Sequence, residues 1–337
     1  MSLTFEYQFS NLSKDLNEYS RRHDNFDDVY RKKWTELHKI PGVFRYTLAI
    51  QSEKILPGKY EFLLQLNPDR SSKRRLPEEI KSLKQKFDPN KFNFNKISEA
   101  ENLFQIKQTK TQESSRDMLI INSSPICFGH SLLCPNIEDC LPQVITLRSL
   151  ILATHIMFIS SNGNLRIGFN SLCAMASVNH LHYHLLILNH RLPTETVKCH
   201  HLKGPIYTIT EDYPAQGFCF QIKKKGEIDS VCLHVYKLTS FLLENNIAHN
   251  LYMMSGDSLD GSPDSVLRIF VWARESSVGI KDLSGVSLAV CEFSGHFPVR
   301  SSDEFDKLTS EFLTDILLET TKSVFLNIQS QVVGLYS

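Results

Sequence analysis

This 337-residue chain has no surplus of charge, with Lys+Arg and Asp+Glu both at 37. A general nucleic-acid binder needs a basic surface to displace counterions, so that class is excluded, although a local basic pocket for a nucleotide is not. No CxxC pair occurs among the eight cysteines (Cys127, Cys134, Cys140, Cys173, Cys199, Cys219, Cys232 and Cys291), so a thiolate zinc site has no local signature. An apolar leader is missing too, since the first thirty residues carry Lys14, Asp15, Glu18, Arg21 and Arg22. The longest apolar run, Leu147 to Ile159, is broken by Arg148 and His155 and is too short to span a bilayer. These absences predict a soluble cytoplasmic protein with reduced thiols and with neither membrane nor nucleic-acid partners. What is abundant is core material. At 42% hydrophobic residues the chain is far from the disordered class, and its length calls for one large or two medium domains.

The N-terminal 40 residues are polar and predict a helical segment, with Phe26, Val29, Trp34 and Leu37 at helical spacing and Pro41-Gly42 as its end. Strands are expected at FRYTLAI (44–50) and KYEFLLQL (59–66), around the turn Leu56-Pro57-Gly58. The basic stretch from Asp69 to Gln85, with Lys73, Arg74, Arg75, Lys81 and Lys84, reads as a solvated loop and helix face. FNFNKI (92–97), MLIINSSPI (118–126) and HSLLCP (130–135) are expected strands, and Ile137 to Ser160 carries a helical pattern. LRIGFNS (165–171) and SVNHLHYHLLIL (177–188) then read as antiparallel neighbours. In the remainder, GFCFQIK (217–223), HNLYMMSG (249–256), LRIFVWAR (267–274) and VSLAVCEFSG (286–295) read as strands, while Ile228–Asn245 and the segment from Asp303 onward read as helices. The layout predicts an α+β fold with antiparallel sheets and packed helices, divided into a 1–40 helical segment and two related halves, 41–200 and 201–337.

The most informative stretch is NHLHYHLLIL, residues 179–188, in which His180, His182 and His184 alternate with Leu181, Tyr183 and Leu185. A strand sends alternate side chains to opposite faces, so the three imidazoles are expected on one face with apolar residues behind. Three readings compete. Histidines two apart can share a metal, but no Asp or Glu lies within five residues before His180 or between Asn189 and Glu195. Backbone carbonyls could satisfy each ring, making the row structural. Or a neutral imidazole could attack an α-phosphate, provided a fixed acceptor holds its other nitrogen's proton and sets the tautomer. Flanking imidazoles would then stabilise the phosphate oxygens or the leaving group.

The stretch resembles the HxHxH signature of the histidine-triad superfamily, which includes galactose-1-phosphate uridylyltransferase. In its context RIGFNSLCAMASVNHLHYH, together with FRYTL (44–48), KSLKQKFDPNKFNFNKI (81–97), INSSPICFGHSLLCP (121–135), YPAQGFCF (213–220), IAHNLYM (247–253), WARESSVGIKD (272–282) and CEFSGHFPV (291–299), the chain resembles the GDP-sugar phosphorylases, in particular their animal branch acting on GDP-D-glucose. The resemblance implies two fused histidine-triad-like halves, the first carrying the catalytic row. It implies phosphorolysis, GDP-glucose plus phosphate giving GDP and glucose 1-phosphate through a guanylylated histidine, with no cofactor and no metal.

Carried over residue by residue, the resemblance makes His182 the nucleophile. It has His182 donate its other ring proton to the carbonyl of His180, with His184 near the phosphate. Asn170 and Ser177 match positions that hold the nucleotide phosphate. Asn122, Pro125, Gly129 and His130 lie where the superfamily builds its nucleoside wall, and Lys96 is a candidate phosphate or sugar contact. Uridylyltransferases and the plant GDP-L-galactose phosphorylases carry Gln at the third triad place. This chain has His184 there, as simple nucleotide hydrolases do, so hydrolysis is carried as an alternative. A non-catalytic guanine-nucleotide sensor or exchange factor is another. The expected partners are a GDP-hexose and inorganic phosphate, and a homodimer is compatible with the sequence.

Overall fold

The computed structural model describes residues 3–13, 26–75, 77–109, 116–279 and 286–337. Part of the expected N-terminal helix (14–25) and part of the WARESSVGIKD motif lie outside the described residues. In chain order the elements are β1 (Thr4–Tyr7), α1 (Phe26–His38), β2 (Ser52–Ile55), β3 (Leu63–Leu66), α2 (Asp69–Lys73), β4 (Asn102–Gln108), β5 (Asp117–Ile121), β6 (Ser131–Cys134), α3 (Leu147–Ile159), β7 (Leu165–Asn170) and β8 (Tyr183–Ile187). There follow β9 (His200–Lys203), β10 (Ile206–Ile209), β11 (Gly217–Ile222), α4 (Ile228–Glu244), β12 (Ala248–Asp257), β13 (Ser265–Arg274), α5 (Val290–Phe293), β14 (His296–Val299), α6 (Ser302–Lys307) and α7 (Ser310–Leu335).

One 11-stranded sheet runs β1-β4-β5-β6-β8-β7-β12-β13-β11-β10-β9, and a three-stranded sheet runs β14-β3-β2. Set aside β1, and the large sheet divides into two runs of five with one topology. Counted in chain order within each run, the spatial order is first, second, third, fifth, fourth. In both, a helix (α3 or α4) joins the third strand to the fourth. The two fourth strands, β7 and β12, pair antiparallel through Asn170↔Asn250 to Arg166↔Met254, so the halves share one continuous ladder. The central strands are apolar on both faces because both faces are covered. Side chains of α1, α3, α4 and the later part of α7 (Phe325, Ile328, Val332) cover one face over Ile167, Phe169, Leu185 and Leu251. The small sheet, α5 and the start of α7 (Leu313, Leu317) cover the other, over Leu186, Tyr252, Phe270 and Trp272.

Four local expectations are corrected. Residues 4–7 form β1, a parallel edge strand on β4, where a helix was expected. Residues 44–50 run without a ladder: Arg45 N–H reaches Ser123 O at 2.9 Å, Leu48 N–H reaches His38 Nε2 at 3.0 Å, and Phe44 and Tyr46 are buried without a strand partner. FNFNKI curls into a 3-10 turn (Phe94–Lys96) because Asn93 Oδ1 accepts from Asn95 N–H at 3.1 Å, an Asx turn that overrides the alternation. Residues 286–295 end in the short helix α5, whose first turn is held by Glu292 Oε2 accepting from Ala289 N–H at 2.8 Å.

Candidate active site

The expected strand over 177–188 is regular only from Tyr183 to Ile187. His180 and His182 sit in extended chain just before it, and a side chain replaces the missing neighbour. Gln143 Oε1 accepts from His182 N–H at 2.8 Å, and its Nε2 donates to the carbonyls of His182 (3.1 Å) and Asn170 (2.9 Å). Leu181 N–H donates to Leu141 O at 2.9 Å. The backbone around His182 is therefore pinned through both its donor and its acceptor.

His182 Nδ1 lies 2.7 Å from the carbonyl oxygen of His180. A carbonyl only accepts, so the imidazole proton is on Nδ1 and Nε2 keeps its lone pair. Burial holds the His182 pKa down to about 4, so the ring is neutral near pH 7. It lines a cleft of about 1140 Å³, mouth included, together with His184, His130, Asn122, Asn170 and Ser177.

His180 does not line the cleft with them, although the strand reading put its imidazole on the same face. Its Nδ1 accepts from Phe94 N–H at 3.1 Å, and its Nε2 donates to Ile137 O at 3.1 Å. Phe94 stacks on it at 5.5 Å and meets the His182 ring edge-on at 5.0 Å. Both His180 nitrogens are thus satisfied by backbone, and burial lowers its pKa to about 4. Its carbonyl faces the His182 ring, while its own ring braces the 3-10 turn.

The third histidine belongs to a relay. Ile126 N–H donates to His130 Nδ1 at 3.1 Å, so the His130 proton is on Nε2, 3.1 Å from His184 Nδ1. Burial keeps the His130 pKa well below its ordinary value. His184 accepts on Nδ1, and when neutral carries its own proton on Nε2, as a donor. Asn122, whose Oδ1 accepts from Ser124 N–H at 3.0 Å, brings its Nδ2 to 3.0 Å from the same His130 Nε2, a contact between two donors with that nitrogen's proton directed to His184.

Asn170 is oriented as firmly. Its Oδ1 accepts from Val290 N–H at 2.9 Å and from Asn250 Nδ2 at 2.6 Å, which assigns its Nδ2 as the donor at the cleft. The approach of Val290 requires Gly168 on β7, where an added Cβ would lie 2.7 Å from Val290 Cγ1. One stretch of the cleft lining is apolar, with Phe94, Ile97, Ile120, Leu132 and Val178. Lys96 is not brought to the cleft: it is exposed, and its Nζ donates to Lys91 O at 2.7 Å.

Several cleft residues were not singled out from the sequence. Arg74 and Arg75, read as solvated, line the cleft, as do Arg70 and Arg300. Arg74 Nη2 donates to Ser177 Oγ at 3.3 Å, Arg70 donates to the carbonyl of Ser124, and Arg75 lies 3.2 Å over the Phe92 ring. Burial, then Arg70 and Arg300, pull the Arg74 pKa down to about 9, still charged at neutral pH. The available signal was the preference for Arg over Lys at 70, 74 and 75, since a planar guanidinium suits a fixed anion contact. No local signal marks Gln143 or Arg300. Among the described residues, no cluster of three or more His, Cys, Asp or Glu side chains could hold a metal ion. No helix among them is long and apolar enough to cross a membrane.

Comparisons with known proteins place this site in context. Two family models match the chain, the GDPGP1-like N-terminal domain over residues 25–186 and the GDPGP1-like C-terminal domain over 189–335. The chain is 39% identical over 307 residues to GDP-D-glucose phosphorylase 1 of Danio rerio, covering 89% of this chain and 88% of that one. It is 40% identical over 296 residues to GDP-D-glucose phosphorylase 1 of Homo sapiens, covering 84% and 76% respectively. With GDP-L-galactose phosphorylase 2 of Arabidopsis thaliana it shares 31% identity over 350 residues, 94% of this chain and 78% of that one. The crystal structure of yeast Ap4A phosphorylase Apa2 in complex with Ap4A superposes with a TM-score of 0.60 at 13% identity, covering 88% of this chain and 97% of that one, so the two share a fold.

Proposed function

The chain belongs to the GDPGP1-like family along both of its halves, and on that premise we propose that it is a GDP-D-glucose phosphorylase working through a guanylylated His182. The observation that carries the reading is the 2.7 Å contact between His182 Nδ1 and the His180 carbonyl, which leaves a neutral Nε2 lone pair at the cleft. In the first half-reaction Nε2 attacks the α-phosphorus of GDP-glucose. The bond from that phosphorus to the bridging oxygen breaks, and glucose 1-phosphate leaves with the electron pair. In the second, an oxygen of inorganic phosphate attacks the same phosphorus and the N–P electron pair returns to His182, releasing GDP. Two in-line displacements give net retention at phosphorus.

The leaving group is already a stable anion, so alignment and charge neutralisation supply most of the rate. Gln143 and the His180 carbonyl align the imidazole. Asn170 Nδ2 and Ser177 Oγ donate to the α-phosphate oxygens, and His184 Nε2–H faces the bridging oxygen. Asn122 and His130 close the nucleoside side. All eight cysteines are free thiols, in keeping with the cytoplasm, where we place the activity. A homodimer is carried as a proposal for light scattering to decide.

The test is GDP-glucose turnover with and without inorganic phosphate, with a mass measurement of acid-quenched protein. Phosphate-dependent turnover and an added guanylyl mass, both lost in His182→Asn, are expected. Rapid turnover of unmodified protein would overturn the mechanism. Turnover indifferent to phosphate would leave a hydrolase.

A further inference from the structure

The apolar stretch of the cleft starts at His182 and runs to a charged end. Phe94 meets the His182 ring at 5.0 Å, and Phe92 meets Phe94 edge-on at 5.9 Å. The Arg75 guanidinium lies 3.2 Å over the Phe92 ring. Phe92, Ile97 and Val178 pack with Phe94, Ile120 and Leu132 as one cluster, so the apolar surface is continuous. Ile97 leads into a 3-10 turn (Glu99–Glu101), where Glu101 Oε1 accepts from Ser98 N–H at 3.1 Å. Arg75 and Glu101 both line the cleft. Burial and then Arg45 lower the Arg75 pKa, and Glu101 opposes them, so the two side chains feel each other's charge. Neither is spent on the other. Among the described residues, the Arg75 guanidinium has the Phe92 ring and no hydrogen-bond acceptor, and Glu101 has the Ser98 N–H and no cation within ion-pair distance.

A guanidinium laid flat on a ring points its N–H groups outward in its own plane, and a carboxylate tied through one oxygen keeps lone pairs on both. The pair therefore offers donors beside acceptors at one end of an apolar slot. A flat heterocycle on that slot must present acceptors to Arg75 and donors to Glu101. Guanine does so, because its O6 and N7 accept while its N1–H and 2-amino group donate. Adenine inverts the pattern, with an amino donor in place of O6 and a bare lone pair in place of N1–H. The other carboxylate among the described lining residues, Glu292, lies on α5, whose Val290 N–H holds Asn170.

We infer that Arg75 and Glu101 read the base, Arg75 through O6 and N7 and Glu101 through N1–H and the 2-amino group, and so select guanine over adenine. The inference rests on the GDP-sugar reading above and adds to it the side chains that choose the nucleotide. Both act at the end of the apolar stretch away from His182, so they govern binding and leave the chemistry at phosphorus to other groups. A site that leaves its own polar groups unpaired against the wrong ligand discriminates more strongly than an apolar pocket can.

The experiment measures equilibrium binding of nucleoside diphosphates to the full chain by calorimetry, so it needs no turnover. GDP is compared with inosine diphosphate, which lacks the 2-amino group, with 7-deazaguanosine diphosphate, which lacks N7, and with ADP. Glu101→Gln keeps an oxygen for the Ser98 N–H while removing the charge. Arg75→Met keeps apolar contact with Phe92 without the donors, and thermal unfolding checks that both variants fold. Wild type is expected to bind GDP about 10- to 100-fold more tightly than inosine diphosphate, and Glu101→Gln to lose most of that preference while still penalising the loss of N7. Arg75→Met should do the reverse, binding GDP and its 7-deaza analogue alike but keeping the preference over inosine diphosphate. A purely structural role would weaken all four nucleotides equally. That result, or a preference that survives its own substitution, overturns the inference. The expected pattern supports the base reading even if turnover of GDP-glucose ignores inorganic phosphate, and a wild type that binds GDP and ADP alike overturns it even if GDP-glucose is phosphorolysed.

Discussion

Replacing Gln143 by Ala isolates the device that positions His182, the proposed nucleophile. The amide makes three hydrogen bonds, at 2.8, 2.9 and 3.1 Å, to the backbone of His182 and Asn170. Removing it leaves the buried His182 N–H without that partner, a penalty of about 1–3 kcal/mol, and forfeits about 1 kcal/mol for each further bond. The total is roughly 3–5 kcal/mol. For a chain of this length the unfolding entropy is on the order of 0.7 kcal/mol per kelvin, so the Tm falls by about 4–7 °C. The kinetic effect is larger in proportion. Gln143 holds His182 but does not line the cleft, so substrate binding is preserved while the attacking nitrogen loses its alignment. A misplacement of about 1 Å costs on the order of 100-fold in rate. Gln143→Ala should therefore lower the single-turnover rate of guanylyl-adduct formation by about 100-fold with little change in the KM for GDP-glucose. Gln143→Glu, which keeps the acceptor but loses both donors, should also be slow. A Gln143→Ala enzyme that is destabilised yet forms the adduct at the wild-type rate would refute the positioning argument.

Replacing His180 by Asn should slow but not abolish adduct formation, since the backbone carbonyl sets the tautomer of His182 and the ring only braces Phe94 and Ile137; quenched mass measurements on His180→Asn and His182→Asn separate the two roles. With the His182 pKa at about 4, adduct formation should be flat from pH 8 to about 5.5 and fall along a limb centred near 4, as the lone pair is lost to protonation. The buried His182 and His249 both hold their pKa near 4, below the unfolded value of 6.5. The unfolded chain takes up these protons first, so stability is fully present above about pH 6.5 and is lost as pH falls through 4, at roughly 3 kcal/mol for each ring; denaturant titrations at pH 7 and 4.5 check this. Gly168→Ala puts a methyl 2.7 Å from Val290 Cγ1, so α5 must shift, lowering the Tm and weakening the Asn170 hold; a Tm and rate equal to wild type would show that the loop gives way freely.

The parts of the site legible in the sequence are those built from near neighbours. The His182 tautomer depends on the carbonyl two residues earlier, a contact that the resemblance to the GDP-sugar phosphorylases implied. The repeated strand and helix pattern is what suggests two halves, because periodicity is a local signal. Local reading failed where distant partners compete with the pattern. FRYTLAI has strand alternation, but its backbone bonds go to Ser123 and His38, so no ladder forms. FNFNKI lost its alternation to the Asn93 side chain. His180 looked like its two companions until Phe94 and Ile137, from segments 86 and 43 residues away, satisfied both of its nitrogens.

By itself, then, the sequence determined the α+β alternation and the close spacing of the three histidines, because each is a local pattern. The tertiary structure alone decided that Gln143 substitutes for a strand, that Asn250 and Val290 from the second half aim Asn170, and that Arg70, Arg74 and Arg300 leave the solvated surface for the cleft wall. Those placements depend on where the β7–β12 ladder joins the halves and on which segments the closing sheet of β2, β3 and β14 folds over it, and neither is encoded in the spacing of any one stretch.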